Sequence, residues 1–157
     1  MTEIIRIENG FQRWDELFAL ILSSFAYMDG VIDPPSSANR LTLAALAYKA
    51  QTEVAYVAIE AGKLVGCVFC KPEERFLYIG KLAIAPTLQG KGLGRKLLAK
   101  AEEVAREKGL PALRLETRIE LVGNHATFGR WGFEKTAENR HAGFDRTTSI
   151  EMQKRLA

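Results

Sequence analysis

The chain has 157 residues, 47% hydrophobic and 26% charged, the proportions of a single soluble domain able to bury a real core. Its net charge of +3 is mild and calls for no nucleic-acid partner. No apolar run approaches the roughly 20 residues needed to cross a bilayer, and Met1-Thr2-Glu3-Ile4 has no basic region leading into a signal core, so no membrane association and a cytoplasmic location are expected.

In chain order, Ile4 to Glu8 reads as a first strand and Trp14 to Leu22 as an amphipathic helix. Asp29-Gly30 and Asp33-Pro34-Pro35-Ser36-Ser37 break regular structure, and a second helix is expected from Ala38 to Ala50. Thr52 to Glu60 and Lys63 to Lys71 flank Ala61-Gly62, the pattern of two antiparallel strands joined by a tight turn. A fourth strand is expected over Phe76 to Ala85, ending at Pro86. Beyond a glycine-rich loop, Leu93, Leu97, Ala101 and Val104 share one face of a helix that stops at Gly109-Leu110-Pro111. Ala112 to Thr117 reads as a buried strand and Val122 to Trp131 as a short helix, with final strands near Phe133 to Asn139 and Thr147 to Lys154.

The resulting order, β-α-α-β-β-β-α-β-α-β-β, is a mixed α+β plan and not repeated βαβ winding. Neither an internal repeat nor a linker interrupts it, so residues 1–157 are expected to fold as one domain. Cys67 and Cys70 form a C-x-x-C pair inside a strand, where residues three apart point to opposite faces. They are expected to serve packing, and no metal is expected.

The chemistry concentrates in Gln89-Gly90-Lys91-Gly92-Leu93-Gly94, followed by Arg95-Lys96. Glycines at alternate positions let the backbone approach a ligand with its N–H groups exposed, and the helix beyond places partial positive charge at its first turn. Strand, glycine loop and helix together form an anion site. Arg95 stands five residues after Gly90 with no Lys-Ser or Lys-Thr following, which breaks the P-loop pattern. The dinucleotide pattern G-x-G-x-x-G begins at Gly90 and Gly92 but meets Arg95 where its third glycine belongs, although Glu116 could pass for the acid that binds a ribose.

Gln89-x-x-Gly92-x-Gly94 resembles the Q/R-x-x-G-x-G/A pyrophosphate motif of the GNAT superfamily of acetyl-CoA-dependent N-acyltransferases. Leu82-Ala83-Ile84-Ala85-Pro86 is similar to the strand that precedes that motif, Leu113 to Thr117 to the family's fifth strand, and Phe128 to Phe133 to its short helix with the closing Gly-Phe. The resemblance implies a GNAT-like sheet whose fourth and fifth strands splay around acetyl-CoA. It further implies pantetheine contacts at Leu82, Ala83 and Ile84, and a pyrophosphate cradle at Gln89, Gly90, Lys91, Gly92, Leu93, Gly94, Arg95 and Lys96. No separate cofactor beyond acetyl-CoA, the acyl donor, is implied.

At the leaving group the chain departs from the family. Phe128 stands where many members carry a tyrosine that protonates the thiolate, and Leu121 replaces the usual asparagine, leaving Asn124 one turn later as a substitute. Either the thiolate then leaves unprotonated, as its near-neutral to mildly basic thiol pKa permits, or Tyr78, His125 or water supplies the proton. For the base, the candidates are Glu116, Glu120, His125 and His141, or a water chain. The acceptor, a small-molecule or peptide amine, is expected near Tyr27, Met28 and Asp29, where Asp29 and Asp33 would suit a cationic amine. The function implied is N-acetyl transfer by direct attack in a ternary complex. A non-catalytic acyl-CoA sensor and a dinucleotide oxidoreductase are the alternatives, and pairing of the final strands would make a homodimer.

Overall fold

The computed structural model describes residues 2–156. In chain order its elements are β1 (Thr2–Arg6), α1 (Trp14–Phe25), α2 (Leu43–Thr52), β2 (Val54–Glu60), β3 (Lys63–Pro72), β4 (Leu77–Ile84), α3 (Leu93–Glu107), β5 (Ala112–Arg118), α4 (Val122–Arg130), β6 (Glu134–Asn139) and β7 (Ser149–Arg155). This is the expected β-α-α-β-β-β-α-β-α-β-β succession. The strands form one seven-stranded sheet ordered β1-β2-β3-β4-β5-β7-β6, in which β4 and β5 are the only parallel neighbours among the described residues. A doubly wound dinucleotide fold, which needs successive parallel strands, is thereby excluded. Among the described residues no helix is long and apolar enough to cross a membrane.

One expected element is corrected. The helix foreseen over Ala38 to Ala50 is two pieces, a 3-10 turn at Ser37–Arg40 and then α2. Each piece has its own N-cap: the Ser36 hydroxyl accepts from the Ala38 N–H, and the Thr42 hydroxyl accepts from the Ala45 N–H, both at 3.1 Å. Two caps satisfy two sets of first-turn donors, so the chain restarts instead of running through.

The sheet is packed on both faces. The α3 residues Leu97, Leu98, Ala101 and Val104 meet Val68 and Cys70 of β3 and Leu113 and Leu115 of β5 on one side. On the other, Leu17, Leu20 and Ile21 of α1 meet Val57, Cys67 and Phe69. Cys67 and Cys70 thus fall in opposite cores, and both are free thiols. Truncating the fully buried Leu97 to alanine removes contacts worth about 2–5 kcal/mol.

One irregularity positions the site. Cys70 pairs with Ile79 and Phe69 with Lys81, so Gly80 is an extra, unpaired residue in β4. Such a bulge bends its strand and reverses which face later side chains take. Leu77 and Ile79 therefore join the α3 core, whereas Ala83 joins the α1 core and Leu82 and Ile84 pack toward α3. β4 pairs with β5 only at Leu77–Leu113 and Tyr78–Arg114. Because β5 stays paired with β7 from Ala112 to Arg118, it cannot follow the bend, and the two strands part.

Candidate active site

The gap between β4 and β5 continues into a cavity of about 750 Å3. Its walls come from both strands, the start of α3, one face of α4 and the segment after α1. Past Tyr78, β5 supplies no partners to the facing edge of β4, so backbone polar groups border the cavity.

At one end lies the glycine loop. Gly90 and Gly92 have φ of 80° and 86°, and nothing within 4 Å would meet a Cβ at either. Their requirement is therefore backbone conformation, which other residues adopt at a cost of about 1–2 kcal/mol. Gly94 is needed for closeness instead: a Cβ there would stand 3.1 Å from the Trp131 ring. Gln89 donates from Nε2 to the Ile84 carbonyl at 3.2 Å and so ties the loop to the end of β4. Gly92 is the N-cap of α3 and offers no side-chain cap. The first intrahelical bond runs from Lys96 N–H to Gly92 O, leaving the N–H groups of Leu93, Gly94 and Arg95 ahead of it. Uncapped donors at the positive end of a helix hold an anion.

Of the residues expected to touch a donor ligand, Leu82, Ile84, Gln89, Gly90, Gly92, Leu93, Gly94, Arg95, Asn124 and Phe128 line the cavity. Lys91 and Lys96 are exposed and flank it. Ala83 is turned away by the bulge, and its methyl group is buried in the α1 core. On α4, Leu121, Asn124 and Phe128 fall on the cavity face at three- and four-residue spacing. Phe128 is set edge-on against Trp131 and Phe133, with ring centroids 5.7 Å apart in each pair.

The acid–base candidates separate. Glu116 lines the cavity from β5, on the sheet face opposite Leu115 and Thr117. Its Oε1 lies 3.4 Å from Arg114 and 3.5 Å from the Asn139 amide. Glu120 is occupied elsewhere, accepting from the Asp33 N–H at 3.3 Å and facing Arg146 at 3.7 Å. His125 Nε2 is 2.9 Å from the Arg118 carbonyl at the end of β5. His141 Nδ1 meets the Thr148 hydroxyl at 2.5 Å, and burial followed by the Arg118 charge lowers its pKa below the ordinary value. Tyr78 sits under the Arg114 guanidinium, its pKa raised by burial and then by Glu116. Glu120, His125, His141 and Tyr78 all lie outside the cavity lining.

At the acceptor end Tyr27 and Met28 line the cavity, but Asp29 does not. Asp33 is held by Arg146 at 3.1 Å. Asp33 is thus engaged elsewhere, and Ser24, Lys81 and Arg118 are among the polar groups that line the cavity. Arg118 donates to the carbonyls of Pro34 at 2.5 Å and Pro35 at 3.1 Å, pinning the proline segment over the end of β5. None of these three was singled out by sequence, because only the sheet's bend and the return of α1 bring them to one space. The isolated Gly80 in a strand pattern was the available sign of the bulge.

The parted β4 and β5 and the uncapped start of α3 together make a cavity with a helix N-terminus at its opening. The Acetyltransferase (GNAT) family profile matches residues 14–133, and the chain belongs to that family. It is 34% identical over 79 residues to an IAA acetyltransferase of Azospirillum brasilense, a match covering 49% of this chain and 52% of the relative. The chain thus spans about half the length of the curated relatives it matches. Among solved structures, PaiA N-acetyltransferase from Thermoplasma acidophilum in complex with coenzyme A superposes with a TM-score of 0.80 at 16% identity, covering 98% of this chain and 99% of that one. An IAA acetyltransferase from Bacillus cereus ATCC 14579 gives 0.69 at 24% identity, covering 99% and 100%. At those identities the two structures show likeness of fold.

Proposed function

We propose that the chain transfers the acetyl group of acetyl-CoA to a primary amine, with both substrates bound together. The observation that carries this is the uncapped start of α3 behind Gly90 and Gly92, opening into the same cavity as the unpaired edge of β4. Acetyl-CoA fits the residues present: the loop offers N–H groups for a pyrophosphate, and the Thr117 hydroxyl at the cavity wall is buried without a partner among the described residues. Family membership and a CoA-bound relative of the same fold support the choice.

Acetyl-CoA supplies an acyl group activated as a thioester. Leu93, Gly94 and Arg95 hold its phosphates through their N–H groups, and the exposed Lys91 and Lys96 add charge beside them. The free backbone edge around Leu82 and Ile84 pairs with the pantetheine arm and places a donor at the thioester oxygen. Glu116 takes the amine proton, directly or through water, since it alone among Glu116, Glu120 and His125 faces the cavity. Phe128 offers no hydroxyl, so Tyr27 is the phenol available at the cavity for the departing thiolate. As an enzyme the chain acts as a single cytoplasmic domain, and β6, a free sheet edge, is the face through which a homodimer would pair.

Phe128 also favours a second reading, an acyl-CoA sensor without turnover. Release of CoA thiol in the presence of a panel of primary amines separates the two. Amine-dependent release is predicted; tight acetyl-CoA binding with no release across the panel would establish the sensor.

A further inference from the structure

Resting on the acetyltransferase reading, the acceptor end of the cavity carries more information than an amine needs. Its donors outnumber its acceptors. Lys81 lies on the α1 face of the sheet because the Gly80 bulge turned it there, and it lines the cavity half-buried. It forms no hydrogen bond or ion pair among the described residues; Lys49 engages Glu53 at Oε2, 2.8 Å away, and Glu53 Oε1 is buried without a partner. Burial and then the charge of Lys49 lower the pKa of Lys81, against the opposing effect of Cys67 and Glu53, and a further anion placed beside it would favour the ammonium.

Ser24 adds a neutral donor. The buried residues of α1 are Leu17, Leu20, Ile21 and Ser24, one stripe at helical spacing, and Leu20 and Ile21 pack in the same cluster as Ala83 of β4. Ser24 continues that stripe one turn further, lines the cavity at 2% exposure, and its hydroxyl has no partner among the described residues. A buried hydroxyl left without a bond is costly unless a ligand completes it. Phe25, Met28 and Ile32 supply apolar lining, beside Ser36 and Ser37.

We infer that the acceptor is an amino acid with an apolar side chain, its carboxylate received by the Lys81 ammonium and the Ser24 hydroxyl and its amine directed toward Glu116. An ammonium and a hydroxyl lining one cavity suit a carboxylate and give nothing to a simple alkylamine. Discrimination then comes from leaving buried donors unpaired when the carboxylate is absent.

The test compares matched acceptors, phenylalanine against phenethylamine and leucine against 3-methylbutylamine, in the wild type and in Lys81→Met, Lys81→Arg and Ser24→Ala. The wild type is expected to prefer each amino acid by at least about tenfold in kcat/KM. Lys81→Met is expected to reduce that preference to near unity, Ser24→Ala to reduce it severalfold, and Lys81→Arg to keep most of it. Calorimetric affinity for acetyl-CoA, expected to be unaltered in all three, shows that the variants are folded. Equal or better use of the carboxylate-free amines, a preference that survives Lys81→Met, or acetyl-CoA binding without turnover of either amino acid would overturn the inference. Failure to bind acetyl-CoA at all would instead remove the acetyltransferase reading beneath it.

Discussion

Asn124 donates a hydrogen bond from Nδ2 to the phenolic oxygen of Tyr27 at 3.2 Å, joining α4 to the turn after α1 through two residues that both line the cavity. The contact spans 97 positions of sequence. Because the phenol accepts here, its own O–H remains free to donate, and it stands in a site where Phe128 supplies no hydroxyl.

Tyr27→Phe is therefore predicted to lower kcat about tenfold, with affinity for acetyl-CoA changed less than about twofold. Asn124→Ala keeps the phenol and should cost less. Steady-state rates with one good acceptor check this. An unchanged kcat in Tyr27→Phe would remove the phenol from the chemistry.

Glu116→Gln is predicted to reduce kcat by about ten- to a hundredfold, the range expected when a positioned base is replaced and water serves in its place. Glu120→Gln should leave kcat within about threefold and change stability by about 0–1 kcal/mol, since its contacts to Asp33 and to the exposed Arg146 are long and lie outside the cavity lining. Equal losses in the two variants would contradict the assignment of Glu116.

A pH effect is expected at Glu16. Its Oε2 accepts the Leu64 N–H at 2.8 Å, and Oε1 meets Arg13 Nη2 at 2.7 Å, fastening α1 to the β2–β3 hairpin. The Leu64 hydrogen bond, and then Arg13 and Lys63, outweigh desolvation and hold the carboxyl below its ordinary value of 4.5. A carboxylate with a lowered folded pKa adds stability that is present above the unfolded value and lost as pH falls through the folded one. Denaturation midpoints measured from pH 7 to pH 3 should fall more steeply in the wild type than in Glu16→Gln, with the difference arising below about pH 5.

Burial pushes both the Cys67 and Cys70 thiols up to about 12. The native protein should leave both unmodified by a thiol-specific reagent at pH 8, whereas the denatured chain should react at both. Rapid native modification would contradict the two-core packing.

The run from β4 through α4 was legible because each boundary carries its own chemistry: Pro86 ends a strand, alternate glycines free the α3 start, and Leu93, Leu97, Ala101 and Val104 mark one buried face. The alternation rule also separated Cys67 from Cys70. What stayed hidden depends on the bulge at Gly80 and on helix placement. Lys81, Ser24 and Arg118 are far apart in sequence and line one cavity only when β4 bends away from β5 and α1 packs across it. Asp33 misled for the converse reason. Its position in the loop was foreseen, but Arg146, which takes it, lies 113 positions away.

The most direct measurement is calorimetric titration of the protein with acetyl-CoA, beside Gly92→Glu, with thermal melts confirming that the variant is folded. Heat from acetyl-CoA in the wild type, lost in a folded Gly92→Glu, is the predicted result. No heat in the wild type, or undiminished heat in the variant, would contradict the loop's role and with it the acetyl-transfer account.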